Sequence, residues 1–198
     1  MRDQTAAQPT LVSAVWSASE SAGFVRKALL ALAGTALLTL SAKTQVPFWP
    51  VPMTMQTFVV LVIAMAYGPR LGVATIALYL AQGAAGLPVF AGTPATGIGL
   101  AYMAGPTGGY LVGFMAAAVA VGALARRGWD RNILSGLAAF LIGDAIIFAC
   151  GVGWLSALIG IEKAFTAGML PFLPGEALKI ALAAALLATS WKFIKRRG

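Results

Sequence analysis

The sequence predicts an all-α integral membrane protein with six transmembrane helices, and its composition and its apolar runs both point to this class. Of its 198 residues, 60% are hydrophobic and only 10% are charged, whereas soluble domains have about 45–50% and about 25%. So few ionic side chains cannot cover a surface that faces water. The apolar residues also form continuous runs, while a membrane β-barrel needs alternating segments of roughly ten residues.

Six apolar segments follow one another along the chain, and about 20 such residues cross a bilayer as a helix. Gly68-Pro69-Arg70 separates the second segment from the third. Leu173-Pro174-Gly175 precedes the sixth, as expected because proline suits the first turn of a helix. Gly151 and Gly153 lie inside the fifth segment, where we expect a bend or a break. The predicted helices cover 28–42, 53–67, 71–85, 108–125, 133–159 and 176–191.

The first 21 residues differ from the rest, because they are polar and rich in small side chains. They are predicted to form a tail or a short surface helix in front of a transmembrane domain at 22–198. No apolar stretch follows Arg2 and Asp3 directly, as it would in a signal peptide. The first apolar segment is therefore expected to stay in the mature protein.

Lysine and arginine lie mostly on one side of the predicted bundle. With six spans and a cytoplasmic N-terminus, only Lys43 and Lys163 fall outside, and Lys179 lies near the outer start of the last helix. Cytoplasmic loops are enriched in basic residues, so we expect a multi-pass protein of the inner (plasma) membrane with both termini cytoplasmic. The eleven cytoplasmic residues are Arg2, Arg26, Lys27, Arg70, Arg126, Arg127, Arg131, Lys192, Lys195, Arg196 and Arg197.

Several function classes are excluded by what the chain lacks. It has no histidine and one cysteine, Cys150, so the usual zinc and haem ligand sets are missing and no metal or cofactor is expected. Its net charge of +8 does not indicate nucleic acid, because the basic residues flank apolar segments instead of forming a patch with aromatic side chains. No glycine-rich run carries the lysine of a P-loop, so ATP hydrolysis would require a separate protein.

Three long connections lie on the predicted outer side, at 43–52, 87–106 and 160–174, and they are rich in proline, glycine and aromatic residues. The inner connections are short and basic. Long connections with no helix of their own are often lids or binding loops. A ligand is therefore expected to be captured from the outside.

Three ionisable residues, Asp144, Glu176 and Lys179, lie within apolar segments or at the start of one. An ionisable side chain at the centre of a membrane costs roughly 2.5–3.5 kcal/mol on insertion scales, so each is a candidate functional residue. The other acidic residues fall in the tail or in loops and suggest no particular role. They are Asp3, Glu20, Asp130 and Glu162.

Glu176 and Lys179 are three residues apart, which places them on the same face of a helix. One interpretation is an ion pair at the helix start, with the glutamate favoured by the helix dipole and the lysine extended to water. The other is a polar wall of a ligand site, where the carboxylate accepts N–H groups and the ammonium binds a carbonyl or a carboxylate. The residues alone leave both open.

Three further polar residues also have two interpretations each. Asp144 either caps a bend or bonds a neighbouring helix, or it contributes to the ligand site. Gln56 either forms an interhelical hydrogen bond or lines the site. Tyr110, like Trp49 and Trp154, is expected in the aromatic belt at the membrane interface unless it belongs to the site.

Six stretches between about residues 25 and 192 carry a more specific signal. They are VPFWPVPMTMQTF at 46–58, GPRLG at 68–72, YLAQGAAGLPVFAG at 79–92, GPTGGYLVGF at 105–114, GDAIIF with GVGWL within 143–155, and LPFLPGEALKIALAA at 170–184. Together and in this order they resemble the biotin-specific substrate-binding subunits (BioY) of energy-coupling-factor vitamin transporters. Each motif is weak alone, but six in register are specific.

The resemblance implies the six-helix S-component fold, with biotin held in a cavity that opens to the outside and is closed by the outer loops. In the family, a Pro-Gly-acidic-x-x-Lys element at the start of the last helix contributes to biotin binding. It corresponds to Glu176 and Lys179, with glutamate here where aspartate is the commoner residue. The resemblance also implies four site or neighbouring residues: Gln56, Phe90, Tyr110 and Asp144.

Biotin uptake is the function that the resemblance implies, with a transmembrane coupling (T) protein and cytoplasmic ATPase (A) subunits as partners. The chain would then be a transporter subunit and not an enzyme. Biotin has a ureido ring, an apolar thiophane body and a carboxylate tail, which an apolar cavity with one acid and one base could satisfy. Two alternatives remain: an S-component for another vitamin or small solute, because a shared fold does not fix the ligand, or a membrane assembly subunit without transport.

Overall fold

A computed structural model of the chain describes residues 8–15 and 20–197. These residues form a helical bundle with one small hairpin of two strands, which the all-α prediction did not include. Turns of 3₁₀ helix lie at Trp129–Arg131 and Leu170–Phe172. The elements are α1 (Leu11–Val15), α2 (Glu20–Lys43), β1 (Gln45–Val46), β2 (Met53–Thr54), α3 (Gln56–Ala84), α4 (Gly99–Met103), α5 (Gly108–Ala125), α6 (Ile133–Ile159), α7 (Ile161–Gly168) and α8 (Leu173–Arg197).

Five stretches of helix within the described residues are long and apolar enough to cross a membrane. Large apolar side chains such as Leu29, Leu141 and Leu182 are exposed on their outer surfaces, where lipid would surround them. This agrees with the predicted class of helical membrane protein. The five stretches are Gly23–Lys43, Gln56–Ala84, Gly108–Ala125, Ile133–Ile159 and Ile161–Ile194.

Helix α3 is a hairpin of two antiparallel helices. In one continuous helix, Gln56 and Tyr79 would lie about 35 Å apart, yet the Gln56 Nε2 donates a 2.8 Å hydrogen bond to the Tyr79 hydroxyl. The chain reverses at Gly68, whose φ of 76° and ψ of −178° are not helical and are accessible to glycine. Pro69 then begins the second half. The two halves correspond to the second and third predicted segments.

The break expected at Gly151 and Gly153 does not occur, because α6 runs without interruption from Ile133 to Ile159. Gly151 instead makes room for a neighbour: a Cβ there would collide with the ring of Tyr110. On the facing helix, a Cβ at Gly113 would lie 2.8 Å from the Cα of Ile147. Glycine therefore allows α5 and α6 to pack closely, as small residues do between membrane helices.

The connections 44–55, 85–107 and 160–172 lie at one end of the bundle, which we call the loop face. Lys43, at the end of α2, ties one of them down: its Nζ donates to the carbonyls of Phe90 and Thr93, both at 2.9 Å, and to the Thr93 hydroxyl at 2.8 Å. The connection 160–174, predicted to lack a helix, contains α7 and a 3₁₀ turn. The loops therefore form an ordered cover over the helices.

The opposite end, where Arg26, Lys27, Arg70, Arg126 and Arg127 lie, is called the basic face. Residues 8–15 of the predicted tail lie at this face, while residues 1–7 and 16–19 are outside the described ranges. The backbone N–H of Gln8 donates to the Arg126 carbonyl at 2.9 Å, and α1 follows as a short helix. This part of the tail packs against the bundle, while a domain boundary at residues 21/22 stays a prediction.

Asp130 was predicted to be an ordinary loop residue, and this is wrong. It is only 1% exposed, and its Oδ2 accepts a 2.6 Å hydrogen bond from the indole N–H of Trp191. The guanidinium of Arg131 lies 4.6 Å from the centre of the same indole ring. Burial raises the pKa of Asp130, and the bond from Trp191 partly opposes this. The three residues join the α5–α6 connection to the end of α8.

Candidate functional site

A cavity of about 510 Å³, including its mouth, lies under the loop face. Helices α3, α5, α6 and α8 supply its walls, and the ordered loops partly cover it. Most of the surface is aromatic or aliphatic, with a few hydroxyl, amide and carboxylate groups. This composition is typical of small-molecule sites. The rings that line it belong to Tyr102, Tyr110, Phe114, Phe148 and Phe172.

The aromatic wall is held by ring contacts and one hydrogen bond. Phe148 packs edge-on against both Tyr110 and Phe172, with ring centres 6.2 Å apart in each pair. The Tyr110 hydroxyl donates to the Gly168 carbonyl at 2.7 Å, which joins α5 to the end of α7. Tyr110 is buried in the bundle and is therefore part of the cavity. Trp49 remains exposed, as expected for a residue of the interfacial belt.

Glu176 and Lys179 form an ion pair with a distance of 2.8 Å between Nζ and Oε1. The Lys179 ammonium donates to the backbone carbonyl of Thr54, and the lysine side chain is 14% exposed. The Thr57 hydroxyl lies 2.8 and 3.0 Å from the two oxygens of Glu176. The pair therefore connects the start of α8 to the start of α3, and both of its charges are partnered.

The pair lies where two cavities adjoin. Glu176 lines the aromatic cavity, and both Glu176 and Lys179 line a second cavity between the β-hairpin and the start of α8. Thr54, Phe172 and Glu176 line both, so they form the partition between them. A molecule that contacts Glu176 in the aromatic cavity can therefore reach the space next to Lys179 only by passing these side chains.

Gln56 lines the aromatic cavity and also forms an interhelical hydrogen bond. Its partner Tyr79 donates in turn to the Val89 carbonyl at 3.0 Å, so the interhelical bond and a position in the cavity wall do not exclude each other. Phe90 is buried behind the wall: its ring stacks on Tyr102 at 5.0 Å between centres and meets Tyr79 edge-on at 5.4 Å. Phe90 supports the cavity through Tyr102 and does not line it.

Asp144 lies one helical turn before Ile147 and Phe148, which line the cavity. It is 7% exposed and does not line the aromatic cavity, and its Oδ1 is a buried atom with no hydrogen-bond partner among the described residues. Glu176 and Lys179 lie close enough to Asp144 to interact with it electrostatically. Asp144 is therefore a buried acid next to the ion pair, outside the cavity wall.

Sequence reasoning missed several residues that line the cavity: Thr54, Thr57, Tyr102, Phe114, Phe148 and Phe172. Thr57 follows Gln56 directly, but its partner Glu176 lies 119 residues further along the chain, so no local pattern pairs them. Tyr102 belongs to the five-residue helix α4, in a loop with no periodic signal. Burial raises the pKa of Tyr102, so its phenol is a neutral group in the cavity wall.

Among the described residues there is no cluster of three or more acidic, histidine or cysteine side chains that could hold a metal ion. What the fold and site define is a helical membrane protein with a partly covered, largely apolar cavity whose composition suits a small organic molecule. The profile of the BioY family matches residues 8–196, and the chain belongs to this family.

Relatives of known name support the same assignment. The probable biotin transporter BioY of Pyrococcus horikoshii is 38% identical over 75% of this chain and 85% of its own length. The biotin transporter BioY of Thermotoga maritima is 37% identical over 77% of this chain and 88% of its own length. The family resemblance that the sequence motifs carry is thereby confirmed.

A crystal structure of the S-component for biotin from an ECF-type ABC transporter has the same fold. It superimposes with a TM-score of 0.76, at 23% sequence identity, over 88% of this chain and 95% of that chain. The prediction of an S-component fold is confirmed by this match.

Proposed function

We propose that this chain captures biotin in the aromatic cavity, as the high-affinity substrate-binding subunit of an energy-coupling-factor transporter. The named biotin transporters among its relatives and the matching biotin S-component support biotin as the ligand. The observation that carries the proposal is Glu176, a buried carboxylate with fixed partners in a cavity of aromatic rings. Such a site offers one charged acceptor in a largely apolar wall, which suits a ring that bears N–H groups on an apolar body.

The chemistry of Glu176 fits the ureido group of biotin. An ionised carboxylate has about four positions for accepting hydrogen bonds. Thr57 and Lys179 do not fill all of them, so Glu176 can still accept a ureido N–H. The rings of Tyr110, Phe148 and Phe172 can pack against the thiophane body, since large apolar groups supply most of the contact in such sites.

The second cavity supports an orientation for the ligand. Lys179 lines this cavity and faces no anion in it other than Glu176. We therefore place the ureido ring in the aromatic cavity and the carboxylate tail towards Lys179, across the partition formed by Thr54 and Phe172. In this arrangement the tail carboxylate becomes a second anionic partner of the lysine, which is then shared between two anions.

The topology we propose has six spans, with the two halves of α3 counted separately and both termini cytoplasmic. The excess of lysine and arginine at the basic face supports this, because cytoplasmic loops carry such residues. The cavity then opens to the outside, and residues 22–198 form the binding domain. A coupling protein and separate ATPase subunits would supply the energy for transport into the cell, consistent with the match to an S-component.

Binding of biotin to the detergent-purified protein, measured by isothermal titration, tests the ligand. We expect tight binding, and a loss of more than about tenfold for Lys179→Ala, since hydrogen bonds to charged groups contribute about 1.5–3 kcal/mol each. Lys163→Ala is the matched control, because Lys163 is an exposed lysine on α7. No heat with biotin, together with binding of another vitamin, would overturn the ligand assignment.

Two further measurements test the orientation of biotin in the site and the need for partner proteins in transport. Biotin amide lacks the tail charge, so it should bind the wild type more weakly than biotin does, while Lys179→Ala should bind both alike. An unchanged preference for biotin in that variant would contradict the orientation. Uptake of radiolabelled biotin by cells with and without the coupling module tests the partners, and equal uptake in both would remove the need for them.

A further inference from the structure

A groove runs along the bundle at the basic face, well away from the biotin cavity. It encloses about 1340 Å³ of space, counting its open side, between α1, the start of α2 and the second half of α3. Small and apolar side chains form its walls, among them Ala28 and Ala31 of α2 and Leu71, Ala74 and Leu78 of α3. The small alanine side chains leave a channel between the two helices.

The groove exists because α2 is attached to the bundle along one side only. It is the least buried of the five candidate spans. At the groove, Tyr67 of α3 connects α2 to the bundle, because its phenol donates a 3.2 Å hydrogen bond to the Leu30 carbonyl. Ala28 and Ala31 of α2 and Ala74 of α3 line the groove near this bond, and Ala28 and Ala74 are exposed.

Basic residues lie at the mouth of the groove, where Arg26, Lys27 and Arg70 line it. Lys27 and Arg70 are exposed, and within the described part of the chain neither side chain has a hydrogen bond or an ion pair. None of the described residues that line the groove is acidic. One end of the groove is therefore strongly positive, while the rest of it is apolar.

We propose that this groove binds an anionic phospholipid of the leaflet at the basic face. Its phosphate lies between Lys27 and Arg70, and one acyl chain lies along Ala28, Ala31 and Ala74. Arginine and lysine bind phosphate oxygens through charge-assisted hydrogen bonds, and basic pockets between helices on the cytoplasmic side of membranes bind anionic headgroups. A free phosphate would satisfy the cations but leave the apolar channel empty, which is why we assign a lipid.

The charge of the headgroup is the first property to test. Purified, delipidated protein is mixed with phosphatidylglycerol or phosphatidylcholine, and retained lipid is counted by native mass spectrometry. We expect one retained phosphatidylglycerol and little phosphatidylcholine. The double variant Lys27→Gln/Arg70→Gln should hold phosphatidylglycerol about 30-fold more weakly, since each basic residue near an anionic headgroup contributes about fivefold. Equal retention of the two lipids by the wild type would overturn the proposal.

Two controls locate the site. Arg126→Gln/Arg127→Gln removes two exposed charges from the same face but outside the groove, and it should retain the lipid as the wild type does. Ala74→Phe leaves the charges but fills the channel, and it should lose the lipid as the Lys27/Arg70 variant does. Loss in the arginine control, or full retention in Ala74→Phe, would contradict the assignment.

A helix of the coupling protein is the alternative occupant of the groove, and crosslinking distinguishes it from a phospholipid. A photoreactive side chain at Ala74 should label phosphatidylglycerol in vesicles that hold this chain alone. Labelling of the coupling protein in the complex, with no lipid labelled in either preparation, would overturn the proposal. Glycerol phosphate tests the source of the phosphate: if it displaces phosphatidylglycerol at equal concentration, the acyl chain contributes nothing and the lipid assignment fails.

Discussion

At the scale of single residues, the hydroxyl of Thr57 connects the two helices that carry the acid and the amide of the site. It lies within hydrogen-bonding distance of both oxygens of Glu176 and, at 3.3 Å, of the Lys179 ammonium. A buried carboxylate requires such partners, because burying a charge without them is costly. Thr57 therefore fixes which lone pairs of Glu176 remain open to the aromatic cavity.

Replacing Thr57 by valine tests this role, because the two side chains have nearly the same shape. We expect Thr57→Val to weaken biotin binding about tenfold or more, since it removes a hydrogen bond to a charged group. Isothermal titration measures the effect, with Thr166→Val as the control, because Thr166 is an exposed threonine on α7 that bonds only within its own helix. An affinity equal to that of the wild type would mean that Lys179 alone orients Glu176.

The site was predictable from the sequence as far as local spacing reaches. Glu176 and Lys179 are three residues apart in an apolar segment, so their pairing follows from helix geometry. Thr57 could not be linked to them, because the contact depends on how α3 packs against α8. The prediction for Asp130 is wrong for the same reason: its position in a basic loop carries no sign of the indole of Trp191, 61 residues away.

At the scale of helices, glycine decides how closely α5 and α6 approach. The sequence predicts that the glycines of α6 are weak points of the helix, since glycine has low helix propensity. In the structure they differ from each other: Gly151 faces the ring of Tyr110, whereas nothing lies within 4 Å of a Cβ at Gly153. The Gly68-Pro69 reversal, in contrast, was predictable, because no regular helix passes through that pair.

Alanine substitutions at Gly151 and Gly153 should have opposite effects on the stability of the protein. Gly151→Ala should force the Tyr110 ring away and lower the free energy of unfolding by about 1–3 kcal/mol, as overpacking does, and biotin binding should weaken because that ring lines the cavity. Gly153→Ala should be neutral or stabilising by up to about 1 kcal/mol. Thermal unfolding and titration with biotin measure both. Equal effects of the two substitutions would contradict the packing role of Gly151.

The connection between α5 and α6 gives a prediction about pH. Burial raises the folded-state pKa of Asp130 above its ordinary value of 3.8, so the folded protein holds this proton more tightly than the unfolded chain. Its stabilising contribution is complete below pH 3.8 and is lost as the pH rises through the folded-state pKa. Relative to Asp130→Asn, the wild type should therefore lose thermal stability over this range. A difference in melting temperature that is constant with pH would contradict this.

At the scale of the whole molecule, the two ends of the bundle are built for different surroundings. The loop face carries ordered loops and the aromatic cavity, with Lys43 committed to the carbonyls of one loop. The basic face carries exposed arginine and lysine side chains and the groove proposed to bind lipid. The sequence predicts this polarity because charge and loop length are both visible in it, whereas the cavity wall depends on contacts between distant segments.

The proposed orientation of the chain in the membrane can be measured with single cysteines in a Cys150→Ala background. Thr96 lies in an exposed loop of the loop face, and Arg127 is exposed at the basic face. With six spans and cytoplasmic termini, Thr96→Cys should react with a membrane-impermeant maleimide in intact cells, and Arg127→Cys only after permeabilisation. Biotin should leave the labelling of Arg127→Cys unchanged, because its site is at the other end of the bundle. The reverse labelling pattern would place the cavity on the cytoplasmic side, and capture of biotin from outside would then be impossible in this orientation.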